Sequence, residues 1–411
     1  MENITSRILQ FNEIRTEPTV TLKYEVMTES LFRFYRGTNH IFYEDLSNLE
    51  NIPPSPLSLV CGDLHLENFG SFKSDNRQVY FDLNDFDEAL VAPAIYEMYR
   101  MVTSIFVAFE SLDIDEKKAV HMAELFLKTY GETLQEGKAD YIEASSARGI
   151  VKEFLRAVCK RKQKDILAKK TTGHKDKLEI LLDDPRHIEL DKVSKSDLMS
   201  HVTEWLKHDG DTPYNYKVMD VVFRLAGTGS VGVKRYAILL KSLNETGEKY
   251  LLLDMKQATP SCLQSFVHIQ QPDWENEADR VVTIQKIMQN RSPALLSTMF
   301  YKDYHYIVEE IQPTKDKIDF RLIKKDYRSM CRVIMDMAQL TASSQLRSAG
   351  RMRSSLPEDF MEFGRDKSWQ QEVLKYAMRY SHVFKTDFEN YKKDFKKGFL
   401  KSREPLLKMI V

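Results

Sequence analysis

The sequence predicts an α+β protein with two lobes, one largely helical and one built on a small antiparallel sheet. Two patterns predict it. Between Val218 and Ala258, β-branched, aromatic and other apolar runs alternate with turn signals. The runs are Val218 to Leu225, Val233 to Leu240 and Tyr250 to Ala258, separated by GTGSVG at 227–232 and by Asn244-Glu245-Thr246-Gly247. On either side, apolar residues recur at helical spacing, as at Met27, Leu31, Phe34 and Tyr35 and again from Met330 to Leu346. The expected partition is a helical lobe over 1–212, a sheet lobe over 213–313, and C-terminal helices over 314–411 that complete the helical lobe.

The remaining elements follow in order. Gly37 ends or interrupts the first helical stretch, and the Pro-rich NIPPSP at 51–56 leads into a buried strand, Leu57 to Cys61. Val79-Tyr80-Phe81 reads as a short strand, and a long helix is expected from Ile95 to Leu112. Residues 114–210 read as mostly helical. Within them the basic run Lys160 to Lys177 has no interleaved aromatics to stack bases, so it reads as a solvated face. Tyr304 to Ile311 is strand-like. In the C-terminal helices, Trp369, Tyr376, Tyr380 and Phe384 read as core packing.

Bulk properties restrict the function classes. With 411 residues the chain can bury a large core, and a formal charge of −1 gives no global case for nucleic acid or membrane. The four cysteines form no CxxC pair, so neither a disulfide framework nor a zinc site is expected. The N-terminal stretch lacks the features of a signal peptide, and a cytoplasmic protein is the expectation.

The chemistry concentrates in Val60 to Ala89, which contains GDLHLEN and FDLNDFDEA. A carboxylate, then an amide, then a second carboxylate at a strand end suits phosphoryl transfer from a metal nucleotide. Asp63 is the expected base or orienting group, with Asn68 and Asp82 as the Mg²⁺ ligands. Asp85 is the next choice for the metal. His65 reads as a buried, hydrogen-bonded histidine. Gly227, Gly229, Ser230 and Gly232 form a glycine loop between two strands, where backbone N–H groups can meet phosphates closely. Lys256, on the next strand, is placed to contact the phosphates. Glu277 shares a helix face with Val281, Ile284 and Met288 and is the expected acidic partner of Lys256.

The loop resembles the G-D-x-H-x-x-N catalytic loop of aminoglycoside phosphotransferases and other kinase-like enzymes, with Asp82 to Asn84 in the place of their D-F-G. Glu97 loosely matches an acidic residue that braces that loop, and Glu309 to Gln312 resembles the hinge that meets the adenine edge. The order is reversed, because here the catalytic loop precedes the glycine loop and lysine. The same order, with GD-x-H-x-x-NFG, FD-x-NDFDE, G-x-GS-x-G and a strand lysine, resembles the bacterial family called domain of unknown function 2252, over roughly residues 30 to 345. That resemblance implies a permuted protein kinase-like fold, and with the residues above the expectation is a phosphotransferase using ATP and Mg²⁺ on an unknown small-molecule or protein acceptor. A nucleotide-binding pseudokinase, a nucleotidyl transferase and a metal-dependent hydrolase are the alternatives.

Overall fold

The computed structural model describes residues 3–13, 19–174, 177–182, 187–208, 215–225, 233–244, 249–311 and 317–398. It is a mixed α+β structure whose sheets are antiparallel throughout.

The largest sheet has six strands, in the order Ser297–Tyr301, Tyr304–Glu310, Tyr250–Gln257, Arg235–Ser242, Tyr216–Arg224 and His187–Ile188. Alternate residues face opposite sides, as the strand period requires. Val221, Ile238, Leu240, Leu251 and Leu253 pack with Leu198, Val202 and Leu206 of the helix Lys192–His208. Val222, Ala237, Leu239 and Leu252 pack on the other side with Leu167 and Ile180. The three strands expected between Val218 and Ala258 are present, with their ends shifted by up to two residues.

The main core lies among the helices Ile95–Ser111, Glu116–Glu136, Tyr327–Ser348, Pro357–Arg365 and Ser368–Lys396. Trp369, Tyr376, Tyr380 and Phe384 are buried in it, and Tyr376 stacks on Tyr380 with ring centroids 5.3 Å apart. One expectation needs correction. Residues 19–47 form three short helices, Thr19–Met27, Leu31–Gly37 and Asn39–Ser47, not one. Ser30 accepts a bond from the Arg33 N–H, capping the second of them and breaking the apolar face between Met27 and Leu31. The stretch 114–210 is mostly helical, as expected, and also contains a hairpin, Thr171–His174 with Lys177–Ile180, that begins within the basic run. Its β-branched threonines and glycine favour that conformation over helix.

Two small ladders position the polar residues. Leu57–Val60 pairs with Leu90–Pro93, and Phe69–Lys73 pairs with Val79–Leu83. The loop 61–68 and the segment 84–89 therefore both cross from one ladder to the other, and they lie side by side.

Candidate functional site

The close approach of these two crossings depends on Gly62. Its φ is +80°, and a Cβ there would sit 2.1 Å from the Glu88 carbonyl oxygen. No other residue fits that position without moving backbone. Asn68 staples the crossings together. Its Nδ2 donates to the carbonyls of Asp63 (3.0 Å) and Asp85 (3.1 Å), and its Oδ1 accepts from the N–H groups of Asn84 and Asp85 (3.2 and 2.7 Å). Both donors and both oxygen lone pairs of the amide are thus engaged.

The helix Ile95–Ser111 grips the loop at three points. Glu97 Oε1 accepts from the Cys61 N–H at 2.6 Å, Arg100 donates from Nε and Nη2 to Asp63 Oδ1 at 3.0 and 2.8 Å, and Ser104 Oγ accepts from the Leu66 N–H at 3.2 Å. Positions 97, 100 and 104 share one helix face, so a single rigid element sets the loop. Glu97 is itself held by Gln345 Nε2 (2.7 Å), and Gln345 in turn accepts from Tyr130. The Arg100 guanidinium lies 3.6 Å from the centroid of the Tyr35 ring and donates to the Tyr35 carbonyl. Burial lifts the Asp63 carboxyl above its usual range, while Arg100 pulls against it. His65 is buried, with Nε2 3.1 Å from Arg36 Nε and 3.8 Å from Asp63 Oδ2. Burial, reinforced by Arg36, pushes the imidazole well below its usual value, so the ring is neutral at pH 7.

The acidic segment meets the large sheet through Lys256, whose Nζ pairs with Asp87. Burial opposes the Lys256 charge, but Asp87 and Asp85 outweigh it and hold its pKa above the usual value. Arg280 secures the far end of the segment by donating to the carbonyls of Asp87 (3.0 Å) and Ala89. Glu277 pairs with Arg280 at 2.6 Å and is not the partner of Lys256, which corrects the expectation from helix spacing. The helix begins at Glu277, so its side chain sits at the N-terminal end and meets Arg280 one turn on.

A cavity of about 220 Å³ lies where these parts converge. Asp85, Asp87 and Lys256 line it, with Arg235, Asp254 and Glu309 from the sheet. Arg235 and Arg224 both pair with Asp254, holding that carboxyl far below its usual range against the cost of burial. Glu309 faces Asp254 across the ladder, and burial with that neighbouring charge pushes it up to about 7. The strands flanking the glycine loop end at Arg224 and begin at Arg235, at the same end of the sheet as Lys256. Gly227, Gly229, Ser230, Gly232 and Gln312 lie outside the described residues.

Asp82 is not on the cavity wall. Its Oδ1 accepts from the Leu83 N–H at 2.9 Å, and burial, partly offset by Arg347, pushes it up to about 6. Asp85, three residues on, lines the cavity, whereas the pairing of Val79–Leu83 with Phe69–Lys73 keeps Asp82 inside the ladder. Among the described residues, no three His, Cys, Asp or Glu side chains are placed to hold a metal by themselves. Asp85 and Asp87 offer two hard oxygen donors, a set that suits a cation completed by phosphate oxygens and water. Sequence reasoning missed Arg100, although its spacing from Glu97 was a readable signal. It also missed Arg235 and Asp254, which nothing in the sequence connects to the loop.

Fold and site together define an α+β protein with a charge-lined cavity between an antiparallel sheet and a helix-braced loop. The chain belongs to the family described as "Uncharacterized protein conserved in bacteria (DUF2252)", whose model matches residues 15–394. Neither curated proteins nor solved structures furnish a match. Among the described residues, no helix is long and apolar enough to cross a membrane.

Proposed function

We propose that this protein is an ATP- and Mg²⁺-dependent phosphotransferase with a kinase-like, two-lobed arrangement in permuted order. The observation that carries the reading is the meeting, around one cavity, of Lys256 from the sheet with Asp85 and Asp87 from the acidic segment, beside the loop that presents Asp63. These residues come from stretches far apart in sequence, and in this combination they suit phosphoryl transfer.

Lys256 contacts the nucleotide phosphates, exchanging part of its pairing with Asp87 for them. Asp85, with Asp87, would hold Mg²⁺. The bound metal supplies neutralisation of the phosphate charge. Asn68 keeps the two crossings in register instead of serving as a ligand. Asp63 orients the acceptor hydroxyl through Oδ2, the oxygen that Arg100 leaves open, and takes its proton.

Calorimetric titration of the native chain and of Asp85→Asn with ATP, with and without Mg²⁺, tests this reading. Metal-dependent binding to the native chain, weakened at least roughly tenfold in the variant, is expected. Absence of ATP binding to the native chain would sink it.

A further inference from the structure

A second cavity adjoins the first, and the two share Arg36, Asp85, Asp87 and Lys256. Asp63 lines only the second. On the phosphotransferase reading, on which this inference rests, the transferred phosphoryl group therefore lies at the shared wall. Arg36 and Lys256 are the two cations that line both cavities among the described residues. Arg235 lines only the first and is taken up by Asp254, while Lys23 lines only the second. With Asp85 and Asp87 assigned to Mg²⁺, Lys256 and Arg36 are the charges left to meet phosphate oxygens.

Arg36 lies in the last turn of the short helix Leu31–Gly37, and its side chain reaches the loop 61–68. Its Nε points at His65 Nε2 (3.1 Å), and its Nη1 donates to Glu67 Oε2 (2.8 Å). The same His65 nitrogen is 3.8 Å from Asp63 Oδ2, which puts the guanidinium beside the proposed base. Nη2 has no hydrogen-bond partner among the described residues, and the side chain is 20 % exposed.

Both of its contacts are weakly held. His65 also faces the Glu67 N–H, which points at Nδ1 from 3.1 Å. A neutral imidazole accepts at one nitrogen only, so the ring cannot serve both donors. The Glu67 N–H is fixed by the turn in which the Asn68 N–H meets the His65 carbonyl (2.8 Å), whereas the arginine side chain can move. The ring proton therefore belongs on Nε2, where it faces Asp63 and opposes the Arg36 N–H. Glu67 Oε2 is shared, because Lys317 Nζ contacts the same oxygen, so Glu67 stays paired when Arg36 departs. An arginine with one opposed contact and one replaceable contact is free to turn to an incoming anion, which its planar fork suits.

We infer that Arg36 grips the transferring phosphoryl group, its guanidinium leaving His65 and Glu67 for the γ-phosphate oxygens. Together with Lys256 it carries the charge on those oxygens as transfer proceeds. Arg36 neither gives nor takes a proton in the step. The acceptor oxygen bonds to the γ-phosphorus, the bond from that phosphorus to the bridging oxygen breaks, ADP leaves, and the hydroxyl proton passes to Asp63.

Calorimetric titrations of the full chain test this, with Mg·ADP and with the Mg²⁺ complex of the β,γ-imido analogue of ATP. They are run on the native protein, Arg36→Met, Arg36→Lys and Lys317→Met. The analogue carries the γ-phosphoryl group and ADP does not. The expected result is that Arg36→Met weakens the analogue roughly tenfold or more and Mg·ADP less than about threefold. Arg36→Lys, which keeps the charge without the fork, should fall between, and Lys317→Met should match the native chain. Equal loss for both nucleotides, or no loss for the analogue, overturns the inference and leaves the phosphotransferase reading standing. So does a loss in Lys317→Met as large as that in Arg36→Met, since the charge of the cluster is then what binding reads. If Arg36→Met does not fold, ¹⁵N NMR of labelled arginine side chains in the native chain decides. The analogue, and not Mg·ADP, should shift the Arg36 Nε–H signal, and a signal that stays in place overturns the inference. A native chain that binds neither nucleotide overturns the phosphotransferase reading itself, and the role of Arg36 with it.

Discussion

Glu97, Arg100 and Ser104 tie the loop 61–68 to one face of a buried helix, and Arg100 is itself clamped against Tyr35. The neighbouring segment 84–89 is held differently. Its backbone is fixed by Asn68 and Arg280, but the Asp87 carboxylate meets the sheet through a single ion pair with Lys256 at a cavity wall. The first arrangement consists of hydrogen bonds inside a helical core, which no ligand can replace. The second consists of charges facing open space, which phosphates and a cation could rearrange. On the proposed phosphotransferase reading, the rigid side places the acceptor group and the exchangeable charges grip the phosphates.

The sharpest way to break this contrast is Arg100→Met. It strands the Asp63 carboxylate in a largely buried position, and a loss of about 3–5 kcal/mol in denaturant unfolding is expected. A loss below about 1 kcal/mol would mean that the loop is not held as described.

Asp82 offers the next largest effect. Its folded pKa, about 6, lies above the value of about 3.8 expected when unfolded. The native state therefore binds more protons between those values, and stability falls as pH rises from about 4 to about 6. Asp82→Asn should remove that slope and stabilise the protein by about 1–3 kcal/mol at pH 7, with Mg·ATP affinity unchanged. A loss of metal-dependent binding in this variant would restore Asp82 as a ligand.

Lys256→Met sharpens the other side. It should weaken ATP binding by roughly tenfold or more while shifting the unfolding midpoint far less than Arg100→Met does. Equal damage to stability from the two substitutions would erase the distinction between the regions. The smallest effect is expected at Glu277, which is one-third exposed and pairs with Arg280. Glu277→Ala should cost no more than about 1 kcal/mol and leave nucleotide affinity within error in the same titration.

By itself the sequence determined the local elements and the chemical inventory. Alternating apolar runs identified the sheet strands, helical spacing identified the long helices, and the turn-rich GDLHLEN stretch marked the polar loop. Those signals are local, since side-chain period and turn preference are properties of a few adjacent residues. The brace from Glu97 to the loop was also partly readable, because an acidic residue early in an apolar helix needs a partner once buried.

Partners across distance were not readable. The choice between Asp82 and Asp85 turns on where a strand ends, and only the ladder with Phe69–Lys73 shows that Asp82 stays inside it. The pairing of Lys256 with Asp87 in place of Glu277 depends on how the sheet and the acidic segment come together. Tertiary structure decided these because a charge or a lone pair takes whichever partner the packed chain brings within about 3 Å, and sequence spacing carries no record of that distance.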